Sequence, residues 1–221
     1  GAGSGAGGLA EVSSAGLLSF TGRADLSAAQ CAFGTLLLDP YDIVIKDADD
    51  FNHTGFTATG PSSVIDVAML IAQLGSSNVT VSTGSGGDGG QDGNITVAAP
   101  VTWSADTTLT LEAAGGIFIN APITATGANA GLAFKHGSAG YHLLPGVPVT
   151  LAGENATFSV NEQPYTLIRN ADQLQDMQLY LARHYALAVD IDASETAGWS
   201  EGAGFDPVGD GGSRFTGTFD G

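Results

Sequence analysis

Asp190 and Asp192 stand two residues apart in Tyr185-Ala186-Leu187-Ala188-Val189-Asp190-Ile191-Asp192, a run that alternates in character. On a strand, that spacing puts both carboxylates on one face. A metal pair, or the two carboxyl groups of a sugar-cleaving site, would need such an arrangement. No third partner is identifiable beside them, so the pair is a suspect rather than a site.

A second acidic stretch, Gly86-Gly87-Asp88-Gly89-Gly90-Gln91-Asp92-Gly93, is close to the calcium-binding nonapeptide Gly-Gly-x-Gly-x-Asp, in which carboxylates and turn carbonyls ligate a hard cation. The aspartate falls one place late and a single copy occurs, which favours a solvated turn over a calcium site at Asp88 and Asp92. Asp47, Asp49 and Asp50 precede Phe51-Asn52-His53 but lack the spacing of an EF-hand loop, and read as solvated. His53, His136, His142 and His184 are scattered without a zinc-binding spacing. His136 and His142 share one candidate loop, where a chance metal contact is the most that the spacing offers.

Nucleophilic chemistry finds little support. Ser85 has Thr83 where a nucleophile elbow needs its first glycine. Cys31, the only cysteine, has no histidine nearby and is expected to be a small core filler. With one cysteine there is no internal disulfide and no thiolate cluster. The lysines are Lys46 and Lys135, and neither follows a glycine-rich loop as nucleotide binding requires. No catalytic, cofactor-binding or metal-ligating residue is assigned from sequence, and no cofactor is expected. Asn-x-Thr sequons stand at Asn52, Asn78, Asn94 and Asn155; whether they carry sugar is open, since Asn and Thr are also favoured at turns and on exposed strand faces.

The elements that must position these residues are mostly strands. From residue 78 to 167 short segments alternate at period two: Val79-Thr80-Val81, Ile95-Thr96-Val97, Leu109-Thr110-Leu111, Ile117-Phe118-Ile119. The phrase Ile-x-β-x-Ala-Pro-β, with Val or Ile at β, occurs at Ile95 and again at Ile117, 22 residues on. Leu109-Thr110-Leu111 finds an echo in Leu132-Ala133-Phe134. An offset near 22 is the signature of a stacked architecture, one repeat lying above the last. Pro100 and Pro122 would then mark corners, where a missing N–H is harmless.

Residues 82–94 and 127–144 read as protruding loops. Two stretches read as helices. The first spans residues 63–74, with Ser62 as cap, Gly75 as stop, and Val64, Val67, Ala68 and Ile71 as its apolar stripe. The second starts at Asn170 with Gln173 in a capping box, and places Leu174, Met177 and Leu181 on one face. Residues 185–191 return to strand.

In 221 residues, 23 acidic groups against 6 basic ones give a net charge of −17. Nucleic acid and anionic membranes would be repelled, and no apolar run approaches the length of a membrane span, so no membrane insertion is expected. Residues 1–8 contain only Gly, Ala and Ser and read as a flexible linker.

Gly34-Thr35-Leu36-Leu37-Leu38-Asp39-Pro40 with Asp42-Ile43-Val44-Ile45, and then Gly93-Asn94-Ile95-Thr96-Val97, Thr102-Trp103-Ser104, Leu109-Thr110-Leu111 and Ile117-Phe118-Ile119-Asn120, resemble filamentous-haemagglutinin-type exoproteins of two-partner secretion. The likeness runs from about Leu9 to Gly131. The stretch from Asn170, with Gly204-Phe205-Asp206-Pro207-Val208-Gly209 and Phe215-Thr216-Gly217-Thr218-Phe219-Asp220-Gly221, resembles the segment leading into GLUG-type repeats. The Asn-Pro-Asn-Gly phrase of the family's amino-terminal secretion domain is missing, so an interior segment of a longer protein is expected.

The resemblance implies an all-β fold, a right-handed parallel β-helix (β-solenoid) with two short docked helices. Residues 9–221 would form a single segment, 9–169 haemagglutinin-like and 170–221 a helix plus GLUG-like repeats. It also implies a secreted, non-catalytic adhesive stalk on a Gram-negative cell surface, exported through an outer-membrane secretion partner and facing a receptor or glycan on a host or neighbouring cell. Two alternatives stay open: a carbohydrate-active or carbohydrate-binding β-helix using Asp190 and Asp192, and a delivery rod for a contact-dependent toxin.

Overall fold

The computed structural model describes residues 7–13, 19–20, 24–27, 32–39, 42–47, 53–54, 57–58, 63–83 and 92–221. These are mostly β, with parallel sheets and two short α-helices, in two compact units, Gly1–Glu162 and Gln163–Gly221.

The first unit holds, in chain order, β1 (Leu9–Ser13), β2 (Ser19–Phe20), β3 (Thr35–Asp39), β4 (Ile43–Lys46), β5 (His53–Thr54), β6 (Thr57–Ala58), β7 (Ser63–Asp66), α1 (Val67–Leu74) and β8 (Asn78–Ser82). There follow β9 (Ile95–Val97), β10 (Val101–Trp103), β11 (Thr108–Ala113), β12 (Ile117–Ile119), β13 (Ile123–Ala125), β14 (Gly131–His136), β15 (Tyr141–Leu143), β16 (Val149–Leu151) and β17 (Thr157–Val160).

From β8 onward the order is regular. Three successive strands enter three different sheets, and the fourth lies parallel beside the first. Thus Val79, Leu109, Leu132 and Phe158 stack in one column, and Ile43, Ile95, Ile117 and Tyr141 in another. Val101, Ile123 and Val149 form a third. The 22-residue offset is therefore a strand register, and so is the echo of Leu109 in Leu132.

Alternation explains the burial. In β11, Leu109, Leu111 and Ala113 are buried while Thr108, Thr110 and Glu112 are half-buried on the outer side. Parallel ladders leave each inward β-branched or Leu side chain between like neighbours, so the core is a stack of apolar rows. Pro100 and Pro122 lie between β9 and β10 and between β12 and β13, as corners require.

The regular order begins only after an irregular start. β7 lies between β2 and β4, so the sheet runs β15-β12-β9-β4-β7-β2. The expected helix over residues 63–74 is corrected here: Ser63–Asp66 are strand, because Ser63, Val64 and Ile65 pair with Ile43, Val44 and Ile45. The helix starts at Val67, capped by Asp66, whose side chain accepts from the Ala68 N–H at 2.8 Å. Its buried residues are Val67, Leu70, Gln73 and Leu74, and Ala68 is exposed, so the stripe also differs from the one expected.

The expected loop at residues 127–144 is corrected as well. It contains β14, with strands paired on both sides, and β15. Gly127, Gly131 and Gly137 reflect crowding, a Cβ on Gly131 meeting Thr108 Oγ1 at 2.5 Å, whereas Gly140 takes a positive φ of 78°.

The second unit holds β18 (Gln163–Ile168), α2 (Ala171–Gln175), β19 (Tyr185–Leu187) and β20 (Phe219–Asp220), with β19 parallel to both β18 and β20. The expected cap is present: Asn170 Oδ1 accepts from the Gln173 N–H at 2.8 Å, and Gln173 Oε1 accepts from the Arg169 N–H at 2.8 Å. A 3-10 turn, Asp176–Leu179, continues the helix. Ile168, Met177 and Tyr185 form the small core, with Leu174, Leu187, Ile191, Val208 and Phe215 against it. No helix among the described residues is long and apolar enough to cross a membrane.

Candidate functional site

Among the described residues, the polar side chains singled out in the sequence do not converge. β19 ends at Leu187, so Asp190 and Asp192 do not share a strand face. Asp192 instead accepts from the Ser194 N–H at 2.9 Å, and these bonds to Ser194 hold its carboxyl below the ordinary range. Among the described residues, no group of three or more His, Cys, Asp or Glu is placed to hold a metal ion.

Cys31, Asp49, Asp50, Asn52, Ser85 and Asp88 lie outside the described residues, and of His53 only its place in β5 is described. Asp92 is exposed in the turn before β9. His136 is the last residue of β14 and His142 the middle residue of β15, so the two stand in different strands rather than in one loop. His142 stacks on Phe118 with ring centroids 5.4 Å apart, and His136 lies 5.7 Å from Tyr141. His184 tilts against Tyr165, and its Nδ1 is buried without a hydrogen-bond partner.

What these polar side chains do is tie one strand layer to the next. Asn78 Oδ1 accepts from the Thr108 N–H at 2.8 Å, and Asn94 Oδ1 from the Gly116 N–H at 2.8 Å. Two of the sequon asparagines are thus occupied, Asn78 at the start of β8 and Asn94 just before β9. Asn155 is exposed, its Nδ2 reaching Asn129 Oδ1 at 3.4 Å. Asn129 in turn donates from its backbone N–H and Nδ2 to Asp106 at 2.9 and 2.8 Å. This polar ladder keeps the Asp106 carboxyl below its usual range.

Among the described residues, one feature with the geometry of a binding site is apolar, and the sequence reading did not find it. In the second unit Leu174, Met177, Phe205, Val208, Phe215 and Phe219 line a pocket of about 260 Å³. Leu174 and Met177 come from the capped helix and the turn that extends it. Phe205, Val208 and Phe215 come from the long connection between β19 and β20, and Phe219 from β20 itself.

Gln175 fixes this wall. Its Oε1 accepts from the Asp206 N–H at 2.8 Å and its Nε2 donates to the Asp206 carbonyl at 3.0 Å, as a paired backbone would. Trp199 stacks on Phe205 at 6.2 Å. The Asp210 carboxylate accepts from the Gly212 and Ser213 N–H groups at 2.7 and 2.6 Å, which tightens the loop leading to Phe215 and lowers the Asp210 pKa. Phe219, 44% exposed, stands at the rim. The signal in the sequence was a set of phenylalanines, at 205, 215 and 219, spaced by Gly and Asp without a helical or strand period.

Such a pocket can take an apolar group and offers no acid, base or nucleophile on its wall. Comparison with family models, with curated proteins and with solved structures finds no match to this chain.

Proposed function

We propose that the chain is a segment of a right-handed parallel β-helix and serves as a structural, adhesive stalk in a large secreted bacterial exoprotein. The observation that carries the reading is the recurrence from β8 to β17, in which three strands visit three sheets in a fixed order before each repeat lands in register on the last. A crossover between parallel strands of one sheet is right-handed in about 98% of cases, which supplies the hand.

Stacked repeats held by nearest-neighbour contacts make a rod whose length grows with repeat number. That is the property a stalk needs. The likeness of the Gly34 to Asn120 phrases to filamentous-haemagglutinin-type exoproteins supports display outside a Gram-negative cell, with export through an outer-membrane partner. The charge of −17 favours a protein or glycan receptor over nucleic acid.

Two measurements test the two halves of the proposal. A crystal structure should show the strands of all three sheets closing into one right-handed stack; an open arrangement removes the β-helix. Beads coated with the purified chain should adhere to epithelial or bacterial cells above albumin-coated beads, and equal adherence removes the adhesive role.

A further inference from the structure

We infer that the pocket of the second unit receives an apolar side chain from a cationic segment of a partner protein. The wall selects the first part of that ligand. All six lining side chains are apolar, so a sugar, nucleotide or free amino acid would leave its polar groups unpaired there. A volume of about 260 Å³ falls below the roughly 300–1,000 Å³ of a pocket that encloses a drug-sized ligand. It suits one or two side chains anchored from outside.

The surroundings select the second part. Asp176 and Asp206 are the immediate chain neighbours of the lining residues Met177 and Phe205. Across Gln163–Gly221 there are nine carboxylates and three arginines, only Arg214 being next to a lining residue. An apolar anchor flanked by Lys or Arg gains attraction from this net negative charge as it enters. A second copy of this chain, or an anionic lipid surface, would be repelled by the same charge.

The site is also built before the ligand arrives. The two-way bond of Gln175 to Asp206, the stack of Trp199 on Phe205 and the Asp210 turn hold three parts of the wall, so little ordering entropy is lost on binding. The inference does not require the stalk reading. A peptide can bind this unit whether or not coated beads adhere to cells.

The test uses the full chain and fluorescein-labelled peptides. The sequence Arg-Lys-Phe-Leu-Lys-Arg should bind at least about tenfold more tightly than Arg-Lys-Ser-Ser-Lys-Arg, which lacks the anchor, and than Glu-Asp-Phe-Leu-Asp-Glu, which reverses the charge. Affinity should fall as salt rises. Val208→Trp, which fills the pocket, and Phe219→Ser at the rim should each weaken binding by about tenfold, with circular dichroism confirming an unchanged fold.

Phe219→Ser keeps the test decisive should Val208→Trp fail to fold. Equal binding of the Ser-Ser peptide, or undiminished binding to Phe219→Ser, would overturn the inference by reducing it to unspecific charge attraction. Saturable binding of free indole with no binding of the cationic peptide would overturn it in favour of a small-molecule pocket.

Discussion

The indole Nε1–H of Trp103 donates to the backbone carbonyl of Thr107 at 3.1 Å, closing the turn between β10 and β11 over two almost wholly buried residues. Thr107 then passes the connection on, its Oγ1 donating to the Leu74 carbonyl at 2.5 Å. One side chain thereby joins the regular strand stack to the end of α1, whose last carbonyls need partners from outside the helix.

Thr107→Val keeps the shape and removes the hydroxyl, leaving a buried carbonyl short of that partner. Stability should fall by about 1–3 kcal/mol, the cost of an unsatisfied buried polar group. Urea unfolding followed by Trp103 fluorescence in a Trp199→Phe background measures it. A midpoint unchanged from the parent would show that the helix end is satisfied otherwise.

Leu109→Ala should be costly and Thr110→Ala should not, although the two residues are adjacent. Leu109 is 0% exposed between Val79 and Leu132, whereas Thr110 faces outward. The expected losses are about 2–5 kcal/mol for the leucine and within about 0.5 kcal/mol for the threonine. Equal effects in denaturant would contradict the alternation of faces.

Gly127 and Gly153 sit at matching turns of successive layers. A Cβ on Gly153 would collide with the Gly127 carbonyl oxygen, and one on Gly127 with that of Ala105. Backbone gives way less easily than a side-chain tip. Gly153→Ala should therefore destabilise by about 1–3 kcal/mol or more, read as a lower thermal midpoint; an unchanged midpoint would mean that the layers are not this close.

The repeating part of the fold was legible because packing writes itself into sequence there. Ile95 and Ile117, or Leu109 and Leu132, occupy equivalent rows and so are chosen from the same few residues. Residues 63–66 were misread because Val64, Val67, Ala68 and Ile71 happen to fit a helical period, while the pairing of Ile65 with Ile45 is a long-range contact that no local pattern carries. Residues 127–144 were misread for a related reason. Their Gly and Ala content looks like a loop, yet small residues are what close stacking demands at Gly131.

The pocket escaped notice on other grounds. Leu174 and Met177 announce one apolar face by their helical spacing, but Phe205, Phe215 and Phe219 join them only through turns set by Gln175, Asp206 and Asp210. Side chains that bond to distant backbone leave no period to read. The strand expected over residues 185–191 is present only as Tyr185–Leu187, and beyond it Asp192 is drawn into a local turn with Ser194.

Acid should weaken the protein in part through Asp106. The carboxylate accepts first from the Asn129 backbone N–H and then from the Asn129 side-chain amide, and both bonds lower its pKa from 3.8. A folded pKa below the unfolded one means that the unfolded chain takes up the proton first as pH falls. The contribution is therefore complete above pH 3.8 and is lost as pH drops through the folded value. Asp192 and Asp210 are shifted in the same direction, so a simple acid titration of the whole protein would not isolate Asp106. The difference between wild type and Asp106→Asn does. Plotted against pH, the difference in urea midpoint should be level near neutrality and shrink below about pH 4. A difference that stays constant to the lowest pH, or that grows, would show that the ladder from Asp106 through Asn129 does not favour the charged carboxylate.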